Sequence, residues 1–238
     1  MLNVTLIPIY EDNYCYVIQS DETVGLVDIG DATPVIDYLE KNNIIPSFLF
    51  TTHHHWDHVD GIEDIKRKYS LHHIAAEKDK HRIPSIDEGV EDGGIIQFGN
   101  EAVQVIETHG HTKNHIIFYF MNSKILFSGD TLFSMGCGRL FEGTVEEMFN
   151  SFQKIKALPD ETAIYCGHEY TLVNGEFSLN LHPQNQDIIN RAKEVKTLRE
   201  KGLPSIPTTL GLERKTNLFV QAETPAIFKK YRDLRDKF

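Results

Sequence analysis

The stretch Thr51-Thr52-His53-His54-His55-Trp56-Asp57-His58 constrains this chain more than any other. It places four of the twelve histidines, with an aspartate among them, inside eight residues. Just before it, Phe48-Leu49-Phe50 reads as the end of a buried strand, and Gly61-Ile62 to Tyr69 reads as a helix. Imidazole and carboxylate are the usual ligands of Zn²⁺ and similar ions, so this composition on a strand-to-helix loop predicts a metal site. His53 and His55 can project from one side of an extended segment, while Asp57 and His58, one turn on, can face a second point. A solvated histidine-rich loop or a tag is the plainer alternative. A tag would be terminal and would lack a buried strand in front of it.

Three further strands end in a potential ligand. Val103–Glu107 leads to Thr108-His109-Gly110-His111-Thr112, Lys124–Ser128 leads to Gly129-Asp130, and Thr162–Cys166 leads to Gly167-His168. Apolar strand, small residue, then ligand type is the layout of a site assembled at one edge of a packed sheet structure. A lone histidine is usually structural, but four such strand ends in one chain are hard to read otherwise. The seven side chains His53, His55, Asp57, His58, His111, Asp130 and His168 exceed what one four-coordinate ion can use. Two ions roughly 3.5–4 Å apart account for them, and such a pair can lower the pKa of a bridging water while polarising a substrate oxygen. Hydroxide nucleophile and oxyanion stabilisation are then supplied together, with no serine or cysteine nucleophile. Cys137 and Cys166 have no evident base at fixed spacing and read as buried structural thiols. His54, His72, His73, His81, His109, His115 and His182 stand outside this set, and solvent or a local hydrogen bond accounts for each. Asp28, ending its own strand, is either a partner orienting the histidine loop or a structural cap.

Composition narrows the class. The 238 residues, 40% hydrophobic and 25% charged, suit one ordinary globular domain or one with a small appendage. No apolar run approaches the ~18 residues of a membrane span, and Met1–Pro8 lacks the basic region of a signal peptide. Three scattered cysteines give no disulfide framework, which predicts a reducing compartment, most simply the cytoplasm. A net charge of −11 argues against nucleic-acid binding and requires a local basic patch for any anionic substrate.

In chain order, Val4–Ile9, Tyr14–Gln19 and Gly25–Asp28 read as strands, and Thr33-Pro34 reads as a cap and first turn of a helix through Leu39. Residues 71–100 read as loops with minor strands. Thr144–Leu158 is the clearest helix, with Thr144 and Glu147 as a capping box and Val145, Met148, Phe149, Phe152 and Ile155 as its buried face. After His168 the alternation of strands stops. Pro183–Lys201 reads as a helix, and Thr224-Pro225 opens a last one with Ile227, Tyr231, Leu234 and Phe238 at heptad-like spacing. The chain thus divides into a part that carries the candidate ligands, 1–168, and a small helical appendage, 169–238.

The pattern T-H-x-H-x-D-H resembles the signature of the metallo-β-lactamase superfamily. Gly129-Asp130-Thr131-Leu132-Phe133, Gly136-Cys137-Gly138-Arg139-Leu140-Phe141-Glu142-Gly143-Thr144 and Cys166-Gly167-His168-Glu169-Tyr170-Thr171 resemble runs of the glyoxalase II family, the hydroxyacylglutathione hydrolases. Asp12-Asn13-Tyr14 and Thr209–Asn217 are similar as well, so coverage is nearly end to end. The resemblance implies an α/β (α+β) fold, an αββα sandwich with a small C-terminal helical domain. It implies hydrolysis of S-D-lactoylglutathione to D-lactate and glutathione by a metal-bridging hydroxide. His53, His55 and His111 would hold one ion, Asp57, His58 and His168 the other, and Asp130 both. The ions would be zinc, with iron or manganese as alternatives. Asp57 and Asp130 are the implied catalytic carboxylates. Glutathione would be bound by Arg139, Phe141, Tyr170, Arg232 and Arg235.

The sequence departs from the family in places. Many members have lysine for Arg139, tyrosine for Phe141, lysine for Arg235 and proline for His109. Charge survives these changes, whereas Phe141 retains only its backbone donor. The implied partner is a small-molecule glutathione thioester, without nucleic acid or membrane, and the chain is expected to act as a monomer. Alternatives open at this level are a mononuclear iron persulfide dioxygenase, which lacks the helical tail, a metal-dependent nuclease, and a non-catalytic metal-binding protein.

Overall fold

The structure is a computed structural model that describes residues 2–238. The chain forms two compact units. The first runs to Glu107 and resumes at Asn114–Gly129, and the second comprises Thr108–Lys113 and Asp130–Phe238. Mixed sheets and helices place it in the α/β class expected from the sequence.

The first unit opens with β1 (Asn3–Ile9), β2 (Asn13–Ser20), β3 (Thr23–Val27), α1 (Ala32–Lys41) and β4 (Phe48–Phe50). It continues through α2 (Trp56–Val59), α3 (Ile62–Lys68), β5 (His72–Ala76) and β6 (Glu88–Val90). It ends with β7 (Ile95–Phe98), β8 (Glu101–Glu107), β9 (Ile116–Phe120) and β10 (Ile125–Gly129). β1 to β6 form one sheet in sequence order, antiparallel through β3 and parallel from β3 onward. β7 to β10 form an antiparallel meander. Alternate side chains of a strand face opposite ways, so each strand of the first sheet serves two cores. Cys15, Val17, Val24, Leu26, Leu49 and Ala75 pack with Val35 and Leu39 of α1 and Ile62 and Ile65 of α3. On the other face Tyr16 meets Phe127, and Phe50 lies 5.1–5.9 Å from Phe98, Phe118 and Phe120 of the meander, ring centre to ring centre. Truncating a fully buried Phe50 to alanine would cost roughly 3–5 kcal/mol. The predicted cap of α1 is shifted. The helix starts at Ala32, because the Asp31 carboxylate accepts the Thr33 N–H and so caps it earlier.

Parallel pairing positions the histidine loop. Val27 is in register with Phe50, and the chain leaves both strands on the same side. Asp28 N–H then bonds the Phe50 carbonyl at 3.0 Å, while the Asp28 carboxylate accepts Thr52 N–H at 2.8 Å.

The second unit contains a short hairpin, β11 (Leu132–Phe133) and β12 (Gly136–Cys137), then α4 (Val145–Lys156), β13 (Ala163–Cys166), α5 (Thr171–Leu181) and α6 (Gln186–Glu200). β14 (Thr208–Thr209), α7 (Leu210–Thr216), α8 (Leu218–Gln221) and α9 (Pro225–Arg235) follow. α4 has the predicted capping box, with the Thr144 hydroxyl on Glu147 N–H and the Glu147 carboxylate on Thr144 N–H. Its buried face is Met148, Ser151, Phe152 and Ile155.

Helix α5 is not foreseen by apolar periodicity. Its buried residues include Thr171, Asn174, Gly175 and Ser178, small or polar side chains that carry no hydrophobic stripe. Nor is strand structure absent after His168, since β14 pairs with β13. The face of α9 also differs from the sequence expectation. Phe228 and Arg232 are its buried residues, whereas Ile227, Leu234 and Phe238 are exposed. Phe228 enters a ring cluster, 5.1 Å from Phe152 and 5.2 Å from Phe219, and that contact sets the helix rotation.

Candidate metal centre and substrate site

In the first unit Asp28 organises the loop. It sits in the left-handed region, at φ +52°, and is buried. Its carboxylate accepts the Thr52 amide and hydroxyl, each at 2.8 Å, and His58 Nδ1–H at 3.1 Å. The single hydroxyl proton of Thr52 goes to Asp28, so Thr52 Oγ1 accepts His53 Nδ1–H at 3.0 Å. Both rings are therefore held as the tautomer whose Nε2 carries the lone pair, the arrangement a metal-binding histidine needs. Asp28 is thus a partner that orients the loop rather than a cap alone.

The other loop residues gather around these rings. His53 and His58 lie 4.2 Å apart, His53 and His55 4.7 Å, ring centre to ring centre. Asp57 Oδ2 lies 3.7 Å from His58 Nε2 and accepts Asn13 Nδ2–H at 2.8 Å. Gly30 lets this loop approach, because a Cβ there would stand 2.1 Å from the Asp57 carbonyl oxygen.

The second unit carries the remaining candidates. His111 Nε2 and His168 Nε2 lie 3.4 and 3.2 Å from the same oxygen, Asp130 Oδ2. His111 Nδ1–H donates to the Arg139 carbonyl at 2.8 Å, which fixes its tautomer in the same sense as His53 and His58. Tyr170 stacks on His168 with ring centres 4.7 Å apart and planes 7° from parallel. Gly138 is required beneath them, since a Cβ would fall 1.8 Å from the Asp130 carbonyl.

The donor set fits a divalent metal. Around a tetrahedral ion with bonds of roughly 2.0–2.1 Å, neighbouring ligand atoms stand about 3.3 Å apart, close to the 3.2 and 3.4 Å seen about Asp130. The first unit gathers His53, His55, Asp57 and His58, and the second gathers His111, Asp130 and His168, so all seven side chains singled out from the sequence stand among others of ligand type within their own unit. The remaining histidines have other surroundings. His54 lies between the buried Asp79 and Arg82, and His115 stacks on His53 at 4.8 Å. His73 is buried against the Thr51 hydroxyl, and burial lowers its pKa to about 4. The three cysteines are buried and unlinked, and burial pushes Cys137 and Cys166 up to about 12, far from a thiolate nucleophile. Sequence reasoning assigned no role to Thr52, Asp79 and Arg82, which act through hydrogen bonds and charge on the histidine loop.

A cationic cluster adjoins Asp130 and His111 through the segment Cys137-Gly138-Arg139. Arg232 is buried, with Nη1–H donating to the Cys137 carbonyl at 2.6 Å, Nη2–H to Asp236 at 2.8 Å, and its guanidinium 5.5 Å from the Phe219 ring centre. Arg235 is half-buried and donates to Asn174 Oδ1 at 3.2 Å. Burial lowers the Arg235 pKa, and the charges of Arg232 and Arg139 lower it further. Arg139 is largely exposed, 3.7 Å from Asp236. The sequence places Arg232 and Arg235 as equals on one helix face, whereas the structure gives Arg232 internal partners and leaves Arg235 and Arg139 more open. The Phe141 ring is exposed and meets His111 edge-on at 5.3 Å, and its backbone N–H donates to the His111 carbonyl at 3.3 Å. The backbone donor that sequence reasoning leaves for a ligand is thus engaged within the protein.

Comparison with known proteins agrees with this layout. Residues 11–168 match the model of the metallo-beta-lactamase superfamily, and residues 169–238 match the model of the hydroxyacylglutathione hydrolase C-terminus. A protein of Pelagibacter ubique (strain HTCC1062) called hydroxyacylglutathione hydrolase is 43% identical over 239 residues, covering 100% of both chains. Among solved structures, the BLEG-1 B3 metallo-beta-lactamase has a TM-score of 0.72 at 21% identity, covering 92% of this chain and 100% of that one. TTHA1623 in a di-iron-bound form has a TM-score of 0.68 at 23% identity, covering 91% and 99%. Among the described residues no helix is long and apolar enough to cross a membrane. The chain belongs to the metallo-beta-lactamase superfamily and, within it, to the hydroxyacylglutathione hydrolases.

Proposed function

We propose that this chain hydrolyses S-2-hydroxyacylglutathione thioesters, S-D-lactoylglutathione in particular, to the 2-hydroxy acid and glutathione. The observation that carries the reading is the segment Cys137-Gly138-Arg139. It links a His/Asp group of metal-ligand type, through the Arg139 carbonyl on His111, to a cluster of arginines, through the Cys137 carbonyl on Arg232. A reactive centre beside concentrated positive charge suits a neutral thioester on an anionic carrier, in a protein whose net charge of −11 would otherwise repel it. The family of the chain supports the same substrate class.

His53, His55 and His111 would hold one divalent ion, Asp57, His58 and His168 a second, and Asp130 would reach both. Zinc suits these ligands, and iron and manganese are the alternatives. Such ions supply a water of lowered pKa and charge that stabilises a developing oxyanion. The chain's own residues do the rest. Asp28 and Thr52 take the Nδ1 side of His58 and His53, and the Arg139 carbonyl that of His111, which leaves Nε2 of each ring as the atom to offer an ion. Arg139 and Arg235 face the carboxylates of glutathione, Tyr170 and Phe141 its backbone and apolar surface, and Arg232 holds their platform. In the reaction water adds to the acyl carbon, the carbon–sulfur bond breaks, and thiolate leaves, so no redox partner is needed.

Residues 1–168 would form the catalytic part and 169–238 the substrate-binding part, in a monomer of the reducing cytoplasm, consistent with three buried free thiols. Nucleic acid and membrane are not partners in this reading. The test is release of thiol from S-D-lactoylglutathione by protein loaded separately with zinc, iron or manganese. A small S-lactoyl thioester without glutathione carboxylates serves as control. Glutathione thioester should be favoured at least tenfold in kcat/KM, and chelation should abolish turnover. Equal turnover of both substrates, or none by protein carrying two metals, would overturn the proposal.

A further inference from the structure

We propose that Asn174 is a positioning residue for substrate specificity, which seats Arg235 through a neutral acceptor and so aims the guanidinium while leaving its charge for a glutathione carboxylate. The inference rests on the thioester-hydrolase reading above and adds to it the group that orients an anion-binding arginine. Asn174 lies inside α5 and is 4% exposed. Asparagine is a poor residue for a helix interior, because its side chain competes for backbone hydrogen bonds. A buried amide also costs free energy unless both of its ends are bonded. Here both are. Oδ1 accepts Arg235 Nε–H at 3.2 Å, and Nδ2–H donates to the Ser134 carbonyl, also at 3.2 Å, in the turn of the β11–β12 hairpin. The partners fix which way the amide faces, since a guanidinium can only donate and a carbonyl can only accept.

The hairpin is shaped for this contact. A Cβ on Gly136 would stand 2.2 Å from Asn174 Nδ2 and 2.6 Å from its Cγ, so glycine at that position lets the amide reach Ser134. Asn174 also follows Tyr170 by one helical turn, with its N–H on the Tyr170 carbonyl at 3.0 Å. One turn of α5 therefore carries a residue assigned to glutathione and the residue that holds another. The three arginines of the cluster are held differently. Asp236 Oδ1 accepts Arg232 Nη2–H at 2.8 Å and lies 3.7 Å from Arg139 Nε, so a carboxylate compensates these two. Arg235 instead bonds an amide, which orients the guanidinium without neutralising it. Holding Arg235 by Nε leaves its two terminal nitrogens to grip a carboxylate through paired bonds. Aspartate at position 174 would satisfy Arg235 internally and turn a second acceptor toward the Ser134 carbonyl, whereas alanine would leave Arg235 unseated.

The experiment titrates S-methylglutathione, which has no free thiol to bind metal, into metal-loaded wild type, Asn174→Ala, Asn174→Asp, Arg235→Ala and the double alanine variant. Binding is read by calorimetry, thermal melting is recorded for each protein, and KM and kcat are measured with S-D-lactoylglutathione. Asn174→Ala should weaken binding about fivefold, roughly the worth of one hydrogen bond, with the loss in KM rather than kcat. Asn174→Asp should weaken it at least about tenfold, although it keeps an acceptor of the same shape. In the Arg235→Ala background, Asn174→Ala should have no further effect on affinity. If the alanine variant does not melt cooperatively, Asn174→Ser takes its place in the cycle. Unchanged affinity in the position-174 variants overturns the inference. An equal loss in both backgrounds does so too, since Asn174 would then support the fold rather than Arg235. Wild type that neither binds S-methylglutathione nor hydrolyses the thioester would instead overturn the parent reading, and this inference with it.

Discussion

Replacing Glu213 by alanine should destabilise the second unit, whereas glutamine should be tolerated. The Glu213 side chain is fully buried between α7, the β11–β12 hairpin and β14. One oxygen accepts the hydroxyls of Ser134 and Thr208, at 3.1 and 2.7 Å, and the other accepts Met135 N–H and Asn217 Nδ2–H, at 2.7 and 2.9 Å. In Glu213→Ala the buried Met135 amide loses its acceptor, which costs about 1–3 kcal/mol. A void of roughly 50 Å³ adds about 1 kcal/mol. Asn217 is less affected, because its amide also donates to the carbonyls of Phe133 and Gly136. Release of a desolvated carboxylate offsets part of this, leaving a net loss of about 2 kcal/mol, a sizeable share of the ~5–15 kcal/mol that holds a typical protein folded. In Glu213→Gln the carbonyl can face Met135 and Asn217 while the NH₂ faces two hydroxyls, which can turn to accept, so the loss should stay near 1 kcal/mol.

Burial also raises the Glu213 pKa above 4.5, against the opposing pull of its donors. A raised carboxyl pKa means that the folded protein holds this proton more tightly than the unfolded chain does. Its stabilising contribution is complete below pH 4.5 and is lost as pH rises through the folded value. Glutamine does not titrate, so Glu213→Gln should gain relative to wild type as pH rises above 4.5. Urea unfolding at several pH values gives the energies, and hydrogen exchange across residues 132–137 reports the Met135 amide. The reasoning fails if glutamine is as damaging as alanine. It also fails if alanine costs under about 1 kcal/mol with Met135 as protected as before.

His73 predicts the opposite pH response. Burial lowers its pKa from 6.5 to about 4, so stability present above pH 6.5 should fall by up to about 3 kcal/mol as pH drops to about 4, and His73→Gln should flatten that limb of the denaturation profile. Asp130→Ala should reduce total bound metal and cut kcat severely, because His111 and His168 both approach its Oδ2; elemental analysis showing two retained ions with normal turnover would refute this. Arg235→Ala should raise KM for lactoylglutathione roughly tenfold with kcat little changed, the pattern of a contact made equally in ground and transition states. Arg232→Ala should instead lower the thermal midpoint, since the buried guanidinium holds the Cys137 carbonyl and Asp236; a pure KM effect with unchanged melting would refute that assignment.

The candidate ligands were legible because each ends an apolar strand or lies in the histidine loop, and strand ends are where a sheet exposes side chains without losing its core. The fold class was legible through the motifs that resemble the family, while local chemistry marked single elements, as Thr144 with Glu147 marks α4 by its capping box. What escaped were features fixed by tertiary contacts. Helix α5 buries Asn174, Gly175 and Ser178, so no hydrophobic period announces it. The rotation of α9 depends on where Phe228 meets Phe152 and Phe219, partners far away in sequence. Asp28 shows both limits at once. Its place after a strand suggested either a loop partner or a cap, and only the parallel register of Val27 with Phe50 brings its carboxylate to Thr52 and His58.

Arginine chemistry on α9 carries the same lesson into function. Residues three apart share a helix face, and spacing alone makes Arg232 and Arg235 equivalent. Burial separates them. Arg232 is turned inward onto a main-chain carbonyl, an interaction that needs the guanidinium's geometry as much as its charge. Arg235 keeps one donor on Asn174, and its positive charge is destabilised first by burial and then by its neighbours Arg232 and Arg139. Crowded like charges without equal compensation store repulsion that an anionic ligand would relieve, and in the proposed function that cost would become selectivity for carboxylate-bearing thioesters. Lysine at Arg235 would keep the charge, but lysine at Arg232 would lose the paired donation to Cys137 and Asp236. Arg235→Lys should therefore remain an active thioesterase, whereas Arg232→Lys should be both less stable and weaker toward glutathione substrates. Equal behaviour of the two lysine variants in melting and in KM would remove the distinction.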